Sequence, residues 1–261
     1  MVEREARIEM IKVCKKLYQN EYTLAYDGNV SIKLDNNRIL ITPSGFCKGD
    51  LTERDLIVCD KDGKKIEGMH KPSSEIRIHV EAYRQRPDIG AVIHAHPPLA
   101  TAFSLAGVSL AHCLLPEVIL YLGTIPTTKY ATPTTEEGPN VIRDLIKTND
   151  ALILDRHGSL TVGKDVWSAY YKLEKIEHTA KITFIARQLG SIKTLRPEQL
   201  NRVIAIAKEF GVPGEAIQCQ NCGGCGKPIP EDKKSLSFLK NDDVIDTVST
   251  IIAKEISKMN I

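Results

Sequence analysis

With 261 residues, 42% of them hydrophobic and 26% charged, the chain has enough apolar content to bury a full core. A net charge of +2, with Lys and Arg interspersed among acids, gives no electrostatic footprint for nucleic acid or a membrane surface. No apolar run approaches a transmembrane span, and Met1 leads into a polar segment. With seven irregularly spaced cysteines, this points to a reducing cytoplasm.

The chain opens on a helical pattern that puts Met10, Cys14 and Leu17 on one face. Asp27-Gly28-Asn29 then forms a turn before a strand-like run at 30–34, and Thr42-Pro43-Ser44-Gly45 follows a second apolar run at 38–41. Each is an ordinary turn by itself, yet backbone N–H groups in such turns also cradle anions. Lys71-Pro72-Ser73-Ser74-Glu75 precedes a helical pattern with Ile76, Val80 and Tyr83 on one face and Pro87 as its stop. Ser73 or Ser74 is expected at the N-cap, with Glu75 in the first turn. Ordinary capping explains those residues. Equally, a helix N-terminus with two hydroxyls suits a phosphate, and a carboxylate beside it suits general acid/base work.

The run Ala91-Val92-Ile93 reads as a buried strand ending in His94-Ala95-His96, stopped by Pro97-Pro98. Alternate strand residues share a face, so both imidazoles project one way, about 7 Å apart at the backbone. A second apolar run at 151–154 is followed by Asp155-Arg156-His157-Gly158, where the glycine is expected to let the backbone turn. Three histidines at strand ends suit a catalytic metal site with an open position. Zinc fits neutral nitrogen ligands best, and cobalt, manganese or iron would accept the same donors.

Residues 165–189 form a long helix pattern with Trp167, Tyr170, Tyr171 and Phe184 as core anchors and Gly190 as its stop. His70, His79, His112 and His178 read as structural. A boundary falls at Leu195-Arg196-Pro197, followed by a helix over 197–210 ending at Gly211. Cys219, Cys222 and Cys225 then stand at Cys-x-x-Cys-x-x-Cys spacing without a nearby fourth ligand. A structural metal, redox sensing and a Gly-rich linker all fit that segment. Val244, Val248, Ile251, Ile252 and Ile256 outline a terminal amphipathic helix. The division expected is a body over 1–194 and a C-terminal extension over 195–261.

Five pieces in this order (Gly28-Asn29-Val30-Ser31, Thr42-Pro43-Ser44-Gly45, Pro72-Ser73-Ser74-Glu75, His94-Ala95-His96 and His157-Gly158) give the chain its resemblance to the class II aldolase/adducin family. Over about residues 5 to 190 it most resembles the L-fuculose-phosphate aldolase type. The resemblance implies an α/β fold, a three-layer α/β/α sandwich around a largely antiparallel sheet, in a homotetramer with inter-subunit sites. It implies that His94, His96 and His157 bind one Zn2+ per subunit, and that Glu75 is the catalytic acid/base and a resting metal ligand. Gly28, Asn29, Ser44, Gly45, Ser73 and Ser74 correspond to the cradle for a sugar phosphate. Tyr121 falls near the family's proton donor from an adjacent subunit.

The reaction implied is reversible cleavage of a ketose 1-phosphate to dihydroxyacetone phosphate and an aldehyde such as lactaldehyde. Sugar-phosphate 4-epimerases resemble this site too but typically carry aspartate at the Glu75 position. Methylthioribulose-phosphate dehydratases carry a catalytic glutamate near Glu117. Adducin-like scaffolds tend to lose the histidines that this chain keeps.

Overall fold

The computed structural model describes residues 2–112, 114–190 and 192–209. The cysteine segment and the terminal amphipathic pattern lie outside the described residues.

The opening helix, α1 (Glu3–Gln19), buries Ala6, Met10, Val13, Cys14 and Leu17, the face its apolar spacing defines. Strands β1 (Asn29–Lys33), β2 (Arg38–Ile41), β3 (Ile57–Asp60) and β4 (Lys65–Glu67) follow. Helix α2 (Ile76–Gln85) leads into β5 (Ala91–Ala95). Three short helices come next: α3 (Pro98–Leu105), α4 (Pro116–Leu122) and α5 (Glu137–Ile142). Strands β6 (Ala151–Leu154) and β7 (Gly158–Gly163) then precede the long α6 (Val166–Leu189) and α7 (Pro197–Glu209).

The seven strands form one sheet in the order β4-β3-β2-β1-β5-β7-β6, and every adjacent pair is antiparallel. Helices cover both faces of its centre. On one face Val30, Ile32, Ala91, Ile93 and Ala95 pack with Met10 and Leu17 of α1 and Tyr170 and Leu173 of α6. On the other, Val92, Leu160 and Val162 pack with Ile78, Val80 and Tyr83 of α2 and Ile142 of α5. This double cover explains why β5 is apolar on consecutive residues rather than alternating, although its pairing is antiparallel.

Asp165 caps α6, accepting from the Ser168 N–H at 2.7 Å while its own N–H donates to the Ser168 hydroxyl at 3.1 Å. Of the four expected aromatic anchors, Tyr170 is fully buried and Trp167 is partly so. Tyr171 and Phe184 are instead exposed. Tyr171 lies one residue off the buried face, and Phe184 follows Thr183, the last buried residue of the helix. Helix α7 docks Leu200, Ile204 and Ala207 against Ile119 of α4, so the first helix of the expected C-terminal extension packs on the body. Among the described residues no helix is long and apolar enough to cross a membrane.

Candidate metal centre

His94 is the penultimate residue of β5, and its register places it opposite Asn29 of β1 and Leu160 of β7. His96 lies just past the strand, its N–H bonded to the Tyr22 carbonyl at 2.8 Å. The chain beyond it is held by Glu177 of α6, which accepts from the N–H groups of Leu99 and Ala100 at 3.0 and 2.9 Å. His157 occupies the tight turn between β6 and β7.

Two glycines make the close approach possible. A Cβ on Gly28, at φ +69°, would stand 2.8 Å from the His94 carbonyl oxygen. One on Gly158 would stand 2.4 Å from the Ala95 oxygen and 2.7 Å from Cδ2 of His96. The left-handed residue of the His157 turn is Arg156, at φ 57°. Gly158 is therefore needed for space, not for the turn that the sequence suggested.

The three imidazoles converge, with candidate ligand atoms all within 4.8 Å of one another. Nε2 of His96 lies 3.0 Å from Nε2 of His94. Glu75 closes the fourth side, with Oε2 at 3.2 Å from Nε2 of His94 and Oε1 at 3.4 Å from Nε2 of His157. Glu75 itself, not Ser73 or Ser74, is the N-cap residue of α2, so the helix starts later than expected, and the Glu75 N–H donates to the Ser73 hydroxyl at 3.3 Å.

The donor set fits a divalent cation. Nδ1 of His94 faces the Ser159 carbonyl at 2.9 Å, and a carbonyl only accepts. That nitrogen must carry the proton, so in the neutral ring Nε2 presents a lone pair to the carboxylate and to His96. Among the described residues, Oε1 of Glu75 is buried without a hydrogen-bond partner. A cation at the centre would satisfy all these acceptors together.

The electrostatics agree. Burial pushes His96 down to about 3, helped by His94 and His157, and His157 down to about 4, helped by His94, so both rings keep free lone pairs at neutral pH. For Glu75, burial opposes ionisation. The adjacent His94 and His157 and the Asn29 amide outweigh it and hold the carboxyl well below the usual range. Burial likewise opposes a charge on His94, but the Glu75 carboxylate beside it moves the balance upward.

The three expected cradle loops meet beside this cluster. The Ser44 N–H donates to the Lys71 carbonyl at 3.0 Å, and the Ser73 N–H donates to the Thr42 carbonyl at 3.1 Å. Gly28, Asn29 and Ser73 are buried, whereas Ser44, Gly45 and Ser74 are exposed. Gly45, at φ +78°, has open space where a Cβ would stand. Tyr121 is 58% exposed on α4, with the Lys175 ammonium 5.8 Å from its ring centre. Glu117 is exposed in the first turn of α4.

Sequence reasoning passed over two residues here. His79 was read as structural, yet it is fully buried with Nε2 at 2.5 Å from Oδ1 of Asn29. Its signal was position, one helical turn after Glu75 on the same face. Lys48 is also fully buried, donating to the carbonyls of Phe46 at 2.8 Å and Tyr26 at 3.2 Å. It thereby ties two of the cradle loops together, and burial pushes its ammonium pKa down.

The Class II Aldolase and Adducin N-terminal domain family matches residues 8–184, and the chain belongs to this family of lyases. It is 36% identical to an L-fuculose phosphate aldolase of Methanococcus maripaludis over 181 residues, which is 69% of this chain and 97% of the relative. It is 32% identical to a 3-oxo-tetronate 4-phosphate decarboxylase of Escherichia coli over 188 residues, 70% of this chain and 88% of the relative. A solved L-fuculose 1-phosphate aldolase superposes with a TM-score of 0.72 at 30% identity, covering 79% of this chain and 96% of that one.

Proposed function

We propose that the protein is a zinc-dependent sugar-phosphate aldolase. It would interconvert a ketose 1-phosphate of the L-fuculose 1-phosphate kind with dihydroxyacetone phosphate and an aldehyde such as lactaldehyde. The observation that carries this reading is the convergence of His94, His96 and His157 on a buried, ionised Glu75. In a family that includes L-fuculose phosphate aldolases, those groups suit proton removal from carbon next to a carbonyl.

The three imidazoles and Glu75 would hold the metal. It would supply Lewis-acid polarisation of the substrate carbonyl and stabilise negative charge on the reacting fragment. The phosphate would lie against Gly28, Asn29, Ser44, Gly45, Ser73 and Ser74, whose loops offer N–H and hydroxyl donors. In the condensation direction the Glu75 carboxylate takes a proton from the hydroxymethyl carbon of dihydroxyacetone phosphate. That carbon joins the aldehyde carbon, and Tyr121, supplied by a neighbouring subunit of a homotetramer, gives a proton to the new hydroxyl oxygen. Cleavage runs these transfers backward, with Glu75 returning its proton to carbon. A cytoplasmic location fits this role.

The similarity to a 3-oxo-tetronate 4-phosphate decarboxylase favours one second reading. Loss of carbon dioxide leaves the same kind of stabilised carbanion, so the same groups would serve a decarboxylation.

The test is release of dihydroxyacetone phosphate from L-fuculose 1-phosphate by native, chelated and zinc-restored protein and by Glu75→Gln. Release that vanishes on chelation, returns with zinc and falls about 10²- to 10⁴-fold in Glu75→Gln supports the aldolase. No release by folded, zinc-loaded protein overturns it, and carbon dioxide evolved from a 3-oxo-tetronate 4-phosphate would then establish the decarboxylase.

A further inference from the structure

A chain of buried side chains runs from Glu75 away from the metal centre. Oε2 of Glu75 lies 2.9 Å from Nδ2 of Asn29, and Oδ1 of Asn29 lies 2.5 Å from Nε2 of His79. Nδ1 of His79 lies 2.7 Å from the Ser31 hydroxyl, which is 2.8 Å from the Tyr83 hydroxyl. All five residues are buried.

The sense of every hydrogen bond in this chain follows from its first member. An ionised carboxylate only accepts, so Asn29 must turn its NH₂ toward Glu75 and its carbonyl oxygen toward His79. His79 must then donate from Nε2, which leaves Nδ1 as an acceptor in the neutral ring. Ser31 donates to Nδ1, so the remaining contact requires Tyr83 to donate to Ser31. Four hydrogen bonds thus point one way and end on a single carboxylate oxygen. The other oxygen, Oε1, has no hydrogen-bond partner among the described residues.

We propose that His79 is a positioning residue: through Asn29 it anchors Glu75 by Oε2 and so fixes the orientation of the carboxylate at the centre. This rests on the reading of Glu75 as the acid/base. Without an Nε2–H at position 79, the Asn29 amide is free to flip. A flipped amide turns its carbonyl oxygen toward the carboxylate, and two acceptors then repel where one hydrogen bond stood. The ring is well suited to a fixed role. Burial, reinforced by nearby His94, pushes it down to about 3, so it stays neutral at neutral pH. Asn29 keeps its second amide hydrogen for the substrate, so its place in the cradle is compatible with this role.

The experiment uses the full-length, zinc-loaded protein and two readouts. The first is the ¹⁵N spectrum of the His79 ring, which distinguishes a protonated Nε2 from a protonated Nδ1 without turnover. A protonated Nε2 is expected, and a protonated Nδ1 would overturn the proposal even if no variant folds. The second is solvent hydrogen exchange into dihydroxyacetone phosphate, which isolates proton transfer at carbon. His79→Phe is expected to lower the maximal exchange rate about 10- to 100-fold while the three histidines retain the metal. His79→Gln, which can donate from its amide, is expected to recover most of that rate. Exchange at the wild-type rate in His79→Phe, or a His79→Gln as slow as His79→Phe, would sink the idea. A wild-type protein that exchanges nothing would instead remove the acid/base reading of Glu75, leaving the ring spectrum to judge the hydrogen-bond chain alone.

Discussion

The two faces of strands β1 and β5 have opposite characters within one sheet. One presents Val30, Ile32, Ala91, Ile93 and Ala95 to the apolar layer of α1 and α6. The other presents Asn29, Ser31 and His94, which bond to Glu75, His79, Tyr83 and Ser159. Both sets are buried, so both lose their hydration on folding. The apolar set gains free energy directly, about 25 cal/mol for each Å² removed from water. The polar set reaches roughly break-even, because each hydrogen bond made inside replaces one to water. The difference teaches that the first face supplies stability, while the second uses the resulting rigidity to hold charged and ligating groups in place. Strand alternation lets the same two strands serve both ends: five of their ten residues face the apolar layer, and Asn29, Ser31 and His94 lie on the opposite face, across the width of a backbone.

The sharpest way to test that division is Leu173→Ala on the apolar side. Leu173 is fully buried in the α1–α6 layer, and its truncation is expected to cost about 2–5 kcal/mol of unfolding free energy. Denaturant melting reads that loss. Turnover per folded molecule should stay near the wild-type value, and a collapse of turnover in folded Leu173→Ala would mean the two faces are not separable.

Gly28→Ala strikes where the faces meet. The new Cβ would crowd the His94 carbonyl from a left-handed backbone position. A loss of about 1–3 kcal/mol is expected, together with weakened binding of a divalent metal, since His94 must move to relieve the contact. Dialysis against a chelator followed by metal analysis checks the second effect. Unchanged metal retention would show that the strand end yields without disturbing the three histidines.

The smallest effect concerns Glu81, which lies on α2 away from the centre. Arg143 and Gln85 donate to its carboxylate at 2.6 and 3.0 Å. Burial opposes its ionisation, but these partners outweigh that and lower its pKa. The folded pKa then lies below the unfolded one. The resulting stabilisation is present above the ordinary carboxylate range and is lost as pH falls through the folded pKa. Glu81→Gln should therefore lose less stability than wild type on going from about pH 7 to about pH 3, read as the change in Tm. Equal acid sensitivity in the two proteins would remove Glu81 from the account.

Much of this molecule was legible in the sequence. Met10, Cys14 and Leu17 marked the buried face of α1, and the apolar runs before His94 and His157 marked strand ends. Local periodicity carries that information because a side chain's direction follows from its position in a regular backbone. Short motifs in order were enough to identify the family, with His94, His96, His157 and Glu75 among them. Tyr171 and Phe184 were misjudged because hydrophobic character alone does not say which face of a helix is covered or where the helix outruns the layer it packs against.

Only the tertiary structure decided how these pieces act on one another. Ser159 orients His94 through a backbone carbonyl, which no residue identity can announce. Lys48 looks like any surface lysine until its ammonium is found buried between the Tyr26 and Phe46 carbonyls. The order of hydrogen bonds from Tyr83 to Glu75 joins residues from β1 and α2 across the sheet face, and its direction depends on each partner's remaining capacity to donate. By itself the sequence determined which residues are candidates for the chemistry and which faces they share, because those are properties of neighbours along the backbone. Their distances, protonation and orientation came from contacts between segments far apart in the chain, and so belonged to the fold.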